Sequence, residues 1–225
     1  MRLFALMFSF VLLGSLPALA AEEKAAKEVA PPAKEVVADP TAAADLLKVT
    51  SEDHILGDAK APVTIIEYSS LSCPHCAHFH NDILPQLEKD YIDTGKANLV
   101  FRPFPLNAPA LKAGIVLSCV PKDKYYTFTR VFYRLQEKWA FTENYLADLK
   151  TISKVGGMTE EQFDACVNDK KLEEKAIEER KKEGDVLKIE ATPTFYINGE
   201  KIQGASDYTI FKDAIDKKLK EAEKK

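Results

Sequence analysis

Three features are missing from this sequence, and each absence excludes a class of protein. The chain has no block of basic residues, since 31 Lys and Arg stand against 35 Asp and Glu and the formal net charge is -4. Nucleic acid is therefore not an expected partner. The chain has no internal repeat, and none of its apolar runs reaches the roughly 18 residues that a membrane-spanning helix needs.

The first twenty residues combine one basic residue, a short apolar run and a small-residue ending. Arg2 precedes the apolar run 3–13, and Ala18-Leu19-Ala20 closes the segment. This order is typical of a secretory signal, so we expect export and cleavage after Ala20. No Cys follows that position, which excludes the lipoprotein form of the signal. The mature protein is expected to be soluble and not to span a membrane.

Residues 21–50 are rich in Ala, Lys, Glu and Pro and carry almost no large apolar side chain before Leu46. Such a segment cannot bury enough surface to offset its ordering entropy, which predicts a tether with some helical character. The remaining segment, 51–225, has the length and the apolar content of one domain.

A pair of cysteines stands where a strand passes into a helix. Segment 62–68 is short, β-branched and almost continuously apolar, which is typical of a strand buried on both faces of a parallel sheet. After Cys73 and Cys76, the four-residue apolar spacing of 77–87 predicts a helix. The C-x-x-C motif is therefore placed at a strand-to-helix junction.

The rest of the chain predicts an α/β fold. Segment 97–101 reads as a second strand, and 109–188 is almost wholly helical, which indicates an inserted helical subdomain. Asn198-Gly199 between two apolar segments is a strong hairpin signal, and a helix over 210–223 closes the domain. Helices covering a small mixed sheet follow from this order.

The first cysteine of the motif is placed to ionise. At a helix start, Cys73 meets unpaired backbone N–H groups and the positive end of the helix dipole, which favour the thiolate. Pro74 suits the first helical position, and His75 can donate hydrogen bonds to the thiolate or carry charge near it. Cys76 is close enough to form the disulfide or to resolve a mixed one.

Two alternatives for the motif stay open. One is a purely structural disulfide, although so tight a loop constrains the unfolded chain little. The other is a zinc site built from Cys73, Cys76, His78 and His80. A single helix directs His78 away from the other three, so we expect no metal and interpret both histidines as exposed or edge residues.

Together these residues resemble a known family. Cys73-Pro74-His75-Cys76 after a buried strand, the inserted helices, and 191–195 before the hairpin look like DsbA-like proteins, which have a thioredoxin fold with an inserted helical subdomain. The resemblance implies that Pro193 is a cis-proline facing the disulfide, with Thr192 beside the thiols and neighbouring backbone that receives an extended client.

The resemblance also implies a role for Glu67, six residues before the first cysteine, where the family has a buried acid. From the residues alone, Glu67 is either an edge residue or a buried carboxyl of raised pKa that transfers protons during thiol exchange. Thr192 departs from the best-known oxidases, which carry Val there, and it weakens the distinction between oxidase and isomerase.

The expected function is a periplasmic thiol-disulfide oxidoreductase that donates its Cys73–Cys76 disulfide to reduced or unfolded exported proteins, without a cofactor. The Pro-His dipeptide favours an oxidase, and residues 21–50 are too few for the dimerisation domain of the isomerases. An isomerase or reductase and a redox-inert chaperone are the alternatives. The resemblance implies reoxidation by a DsbB-type protein of the inner membrane.

The other two cysteines stand far apart, at Cys119 and Cys166. Each belongs to the apolar face of a predicted helix, and disulfides persist in exported proteins. We expect a structural disulfide between them, with two buried free thiols as the alternative.

Overall fold

The computed structural model describes residues 40–204 and 207–224. The predicted signal, 1–20, and residues 21–39 of the predicted tether lie outside the described residues. Within those described ranges, none of the helices combines the length and the apolar character that crossing a bilayer requires.

A five-stranded sheet in the order β1-β3-β2-β4-β5 forms the centre of the fold. Strands β2 and β3 run parallel, whereas β1 pairs antiparallel with β3, and β4 pairs antiparallel with both β2 and β5. The strands are β1 (Ile55–Leu56), β2 (Val63–Ser69), β3 (Ala97–Pro103), β4 (Thr194–Ile197) and β5 (Glu200–Gln203). The sheet is mixed, as the sequence predicts, and the predicted strands coincide with β2, β3, β4 and β5.

The turn between β4 and β5 shows why the sequence signal there is strong. Asn198 and Gly199 have φ values of 45° and 84°, and a tight hairpin requires this left-handed conformation at both central residues. The Asn198 side chain also accepts a hydrogen bond of 2.8 Å from the backbone N–H of Thr64 in β2. The hairpin is thereby fixed against the central strand.

One helical run follows the cysteine motif, and five helices form the insertion. The first run consists of α2, a π-helical segment (Phe79–Ile83), α3 and a second π-helical segment (Glu88–Ile92). The α-helices are α1 (Pro40–Leu46), α2 (Pro74–His78), α3 (Leu84–Leu87), α4 (Ala108–Cys119), α5 (Tyr125–Arg134), α6 (Tyr145–Val155), α7 (Glu160–Val167), α8 (Lys170–Leu187) and α9 (Tyr208–Ala222). Helices α4 to α8 are the inserted subdomain.

Local signals set several helix boundaries in the insertion. Thr159 and Gln162 make both hydrogen bonds of a capping box at the start of α7, which their spacing indicates in the sequence. Helix α6 ends at Gly156, and Gly157 has a φ of 93°, a conformation that favours glycine. The expected break near Pro121 falls between α4 and α5.

The described residues begin with a short helix that packs against the insertion. Helix α1 falls within the segment interpreted as a tether, yet it packs against α8 and buries Ala43. The carbonyl of Leu46 accepts a hydrogen bond of 2.5 Å from Arg102 in β3. A helix that packs through an alanine needs few large apolar side chains, so composition predicts some helical character here but not the packing against α8.

The insertion shares a hydrophobic core with the cysteine motif. Cys73, Cys76 and Ala77 belong to the same buried cluster as side chains from α4, α5, α6 and α7, including Phe132 and Tyr133. A second cluster on the same face of the sheet contains Phe79, Phe195 and Phe211, and the opposite face buries Tyr68, Val100 and Tyr196. The C-x-x-C motif therefore lies between the sheet and the inserted helices.

Candidate active site

Cys73 is the N-cap residue of α2, directly before Pro74, and its backbone is extended, with a φ of -85° and a ψ of 123°. Its side chain is 8% exposed, and neither Cys73 nor Cys76 is in a disulfide in the structure. A hydrogen bond from the Cys76 thiol is the largest of the effects that lower the pKa of Cys73 to about 5. The Thr192 hydroxyl and the backbone N–H groups of Cys76 and His75 act in the same direction, against the effect of burial.

Cys76 has the opposite electrostatics. Its side chain is 0% exposed, and burial, followed by the hydrogen bond and the charge of Cys73, raises the pKa of the Cys76 thiol far above its ordinary range. Two cysteines one helical turn apart therefore differ sharply in acidity. One is held as a thiolate near neutral pH, and the other is held as a thiol.

The loop before β4 faces the first cysteine. The Thr192–Pro193 peptide bond is cis, and the carbonyl oxygen of Thr192 accepts a hydrogen bond of 3.4 Å from the Cys73 thiol. The Thr192 hydroxyl is buried and has no hydrogen-bond partner among the described residues, so it is available to the Cys73 thiolate, whose pKa it lowers. The structure therefore brings the C-x-x-C motif and the segment before β4 together, as the family resemblance implies.

His75 lies at the rim of the site. Its side chain is exposed, and the contribution that lowers the pKa of Cys73 is a hydrogen bond from the His75 backbone N–H. Backbone N–H groups of the helix start therefore act on Cys73, as its position predicts. The role expected of the His75 imidazole stays a prediction.

Glu67 is a buried residue of the central strand, and the edge interpretation is wrong. Its side chain is 0% exposed, and its two carboxyl oxygens lie 3.1 and 2.9 Å from Nε2 of His80. His80 is 4% exposed, so the expectation that it is an exposed or edge residue is also wrong. A π-helical segment places His80 over the sheet, where a buried carboxyl group needs a partner.

The four side chains considered for zinc are not gathered at one point. His78 is exposed and bonds Asp82 at 2.8 Å, whereas His80 bonds Glu67 on the other side of the helix. Across residues 40–204 and 207–224, no group of three His, Cys, Asp or Glu side chains is arranged to hold a metal ion. The two imidazoles bond different carboxylates, His78 that of Asp82 and His80 that of Glu67.

Two polar residues of the insertion support the site and were not predicted from the sequence. Gln136, from the insertion, donates hydrogen bonds of 2.8 and 3.0 Å to the carbonyls of Leu71 and Cys73. Tyr133 of α5 donates one of 3.0 Å to the hydroxyl of Ser69 at the end of β2. No motif marks these residues, because their contacts depend on how the insertion packs against the sheet.

The second cysteine pair lies away from this site. Cys119 ends α4 and Cys166 lies in α7, and the two form a disulfide with a Cα–Cα distance of 6.2 Å across 47 residues of sequence. This is the pairing expected from the sequence. It joins two helices of the insertion.

Comparison with known proteins agrees with this geometry. Residues 49–217 match a family model described as thioredoxin. The chain is 35% identical over 179 residues to a putative protein-disulfide oxidoreductase of Rickettsia felis, covering 79% of this chain and 64% of that protein. It is 31% identical over 176 residues to disulfide bond formation protein D of Bacillus subtilis, covering 74% of this chain and 77% of that protein.

A solved structure shows the same fold. The crystal structure of Wolbachia pipientis alpha-DsbA1 is 33% identical, has a TM-score of 0.74, and is matched over 79% of this chain and 96% of that one. The chain belongs to the thioredoxin family. Within that family it is a DsbA-like protein, with the helical insertion that this group carries between the strands.

Proposed function

We propose that this protein is an exported thiol-disulfide oxidase that transfers its Cys73–Cys76 disulfide to reduced client proteins. The observation that carries the proposal is the opposed acidity of the two thiols, since the pKa of Cys73 is lowered to about 5 and that of Cys76 is raised. A stabilised thiolate at Cys73 favours the reduced pair, so the disulfide is a strong oxidant. The match covers 64% of the Rickettsia felis protein. The name of that protein supports the proposal, and the activity of this chain needs its own test.

In the proposed reaction, a client thiolate attacks the sulfur of Cys73 and forms a mixed disulfide, while the sulfur of Cys76 leaves as a thiolate. The second client thiol then attacks the client sulfur of the mixed disulfide, and Cys73 leaves as a thiolate. The proton of that second thiol ends on Cys76. Glu67, buried beside His80 and close enough to influence Cys76 electrostatically, is the proposed carrier of this proton.

The cis-peptide segment has a proposed binding role. The carbonyl of Thr192 contacts the sulfur of Cys73, and the proposal is that an extended client pairs with the backbone next to Thr192 and Pro193. The proposed location is the periplasm, after removal of residues 1–20, and the proposed reoxidation partner is a DsbB-type membrane protein. The signal-like segment 1–20 supports export, and the family resemblance supports the clients and the partner.

The reduction potential of the Cys73–Cys76 pair tests this function against its alternatives. An oxidase should lie near the roughly -120 mV of DsbA, whereas a reductase should lie near the roughly -270 mV of thioredoxin. Cys73→Ser should abolish oxidation of a reduced client, and Cys76→Ser should trap the client on Cys73. A potential close to that of thioredoxin would indicate a reductase, and a wild-type protein that oxidises no client would indicate a redox-inert chaperone.

A further inference from the structure

His80 and Glu67 form a buried pair in which one ring nitrogen is already engaged. Nε2 of His80 lies 3.1 and 2.9 Å from the two carboxyl oxygens of Glu67. A protonated carboxyl would direct its single O–H at Nε2 and leave its second oxygen facing a nitrogen lone pair. The nearly equal distances instead suit one N–H group shared by two acceptors. Nε2 therefore carries a hydrogen, and Glu67 is ionised.

The other ring nitrogen of His80 is enclosed and unused. Tyr133 of α5 stacks on the His80 ring with centroids 4.2 Å apart, and Phe101 lies perpendicular to it at 5.5 Å. Nδ1 is buried and has no hydrogen-bond partner among the described residues. Adding a proton to Glu67 would break the bond that it shares with Nε2, whereas adding one to Nδ1 keeps that bond and leaves the pair without net charge.

The charges that face this pair come from the two cysteines of the motif. The other titratable groups near it are three tyrosines of α5 that stay neutral because burial raises the pKa of each: Tyr125, Tyr126 and Tyr133. In the described part of the chain, Glu67 has an ion pair with His80 alone. Cys76 precedes His80 by four residues and Cys73 by seven, spacings that place side chains on about the same face of a helical run.

The proposed exchange leaves one proton without an acceptor. Oxidation of a client dithiol releases two electrons and two protons. The electrons break the Cys73–Cys76 bond, and one proton ends on Cys76. Cys73 remains a thiolate and takes none, so the second proton goes either to solvent or to a nearby base. A buried base near the sulfurs binds a proton more tightly once they become negative, because charges interact strongly in the protein interior.

We propose that Nδ1 of His80 takes up this second proton when the cysteine pair is reduced and releases it when the pair is reoxidised, while Glu67 holds the ring and balances its charge. The inference rests on the proposed function and adds a redox-linked proton site to it. His80 and Glu67 are positioning residues in this step, since they act on the sulfurs through charge. The uptake favours the reduced protein as the pH falls.

The pH dependence of the reduction potential counts the protons taken up with two electrons. One proton changes the equilibrium constant of reduction tenfold per pH unit, which is about 30 mV. Seven residues of helix span roughly 10 Å, and at an effective dielectric constant of about 20 a charge at that distance changes proton affinity about tenfold. Between about pH 6 and pH 9, the wild-type potential should therefore fall by about 30 mV more than uptake on Cys76 alone requires.

Three variants test this slope, with potentials measured in glutathione buffers. His80→Gln keeps an N–H group for Glu67 but has no atom that gains a proton, so its potential should follow the one-proton slope throughout. Glu67→Gln removes the balancing charge and should do the same. His78→Gln is the matched control, because His78 is exposed, lies two residues earlier and bonds a different carboxylate, that of Asp82 at 2.8 Å. It should keep the wild-type slope.

NMR of isotopically labelled histidine in the wild-type protein gives a second measurement that does not depend on a variant folding. At a single pH within the steep range, Nδ1 of His80 should be more protonated in the reduced form than in the oxidised form, and His78 should not change. Equal slopes for the wild type and His80→Gln would overturn the proposal, as would an Nδ1 signal that ignores the redox state or a lost slope in His78→Gln. A two-proton slope in His80→Gln would instead show that Cys73 is a thiol and refute the proposed function.

Discussion

The two cysteine pairs of this chain have the same chemical groups in opposite settings. Cys73 and Cys76 are two buried thiols separated by one helical turn, with hydrogen bonds that lower the pKa of one and burial that raises the pKa of the other. Cys119 and Cys166 are joined across 47 residues of sequence, between two helices of the insertion. The first pair is arranged for electron transfer, and the second for constraint of the chain.

The difference teaches that the position of a pair in the fold determines what its disulfide does. A short loop removes little freedom from the unfolded chain, whereas a long loop removes much more. Conversely, a helix start supplies N–H donors to a thiolate, and Cys119, at the last residue of α4, lies at the end of a helix that lacks them. Stability and reactivity are therefore assigned to separate pairs.

The largest expected effect comes from removing the second pair. Cys119→Ala combined with Cys166→Ala should lower the free energy of unfolding by up to about 4 kcal/mol, because the unfolded chain regains the freedom of a long loop. Urea unfolding of the two proteins measures this change. Disulfide exchange by the folded variant should remain close to that of the wild type.

Cys73→Ser combined with Cys76→Ser is the control for this prediction. It should lose exchange, and its stability should change by about half as much, because so short a loop contributes only about 2 kcal/mol. If the variant without Cys119 and Cys166 folds but does not exchange, the division of roles between the pairs is wrong.

The next effect concerns pH. The difference in stability between the reduced and the oxidised protein should change sign as the pH falls. In the reduced protein the pKa of Cys73 is about 5, below the roughly 8.5 of an unfolded thiol. The resulting stabilisation is complete above about pH 8.5, falls with pH, and is lost as the pH drops below about 5. At pH 7 it amounts to at most about 3 kcal/mol, less where solvent screens the sulfur.

We therefore expect the reduced protein to be more stable than the oxidised one at pH 7 and less stable at pH 4. Urea unfolding of both forms between pH 4 and pH 8 tests this, since above that range the raised pKa of Cys76 acts in the opposite direction. Cys73→Ser has no Cys73 thiolate and cannot form the disulfide, so its stability should not show the loss that the reduced wild-type protein shows between pH 8 and pH 4. An oxidised form that is more stable throughout would mean that Cys73 is not held as a thiolate.

Local sequence signals predicted those parts of the fold that depend on neighbouring residues. The hairpin at Asn198-Gly199, the capping box at Thr159 and the strand before Cys73 all depend on a few adjacent side chains. The burial of His80 could not be predicted in this way, because it requires a π-helical turn and a partner from another strand. The packing of helix α1 against α8 could not be predicted either, since it joins segments that lie far apart in the sequence.

The candidate site likewise contains residues that the sequence predicts and residues that only the packed structure reveals. The C-x-x-C motif and Pro193 are visible in the sequence because their chemistry is tied to residue type. The hydrogen bonds of Gln136 to the loop before Cys73, and of Tyr133 to Ser69, reach across more than 60 residues. Glutamine and tyrosine occur in many roles, so only the packed insertion shows that these two support the redox pair.

The smallest expected effect separates the side chain of His75 from its backbone. The side chain is exposed, whereas the backbone N–H bonds the sulfur of Cys73 and is retained in His75→Ala. We expect this substitution to raise the pKa of Cys73 by about one unit, the low end of what a nearby charge or hydrogen bond produces. One unit corresponds to about 1.4 kcal/mol and lowers the reduction potential by about 30 mV.

Thiolate absorbance against pH in the reduced protein measures the shift. The matched control is His78→Ala, because His78 is an exposed histidine of the same helix and bonds Asp82. A return of the pKa to about 8.5 would show that the imidazole holds the thiolate, and no change at all would show that the backbone donors and Cys76 suffice.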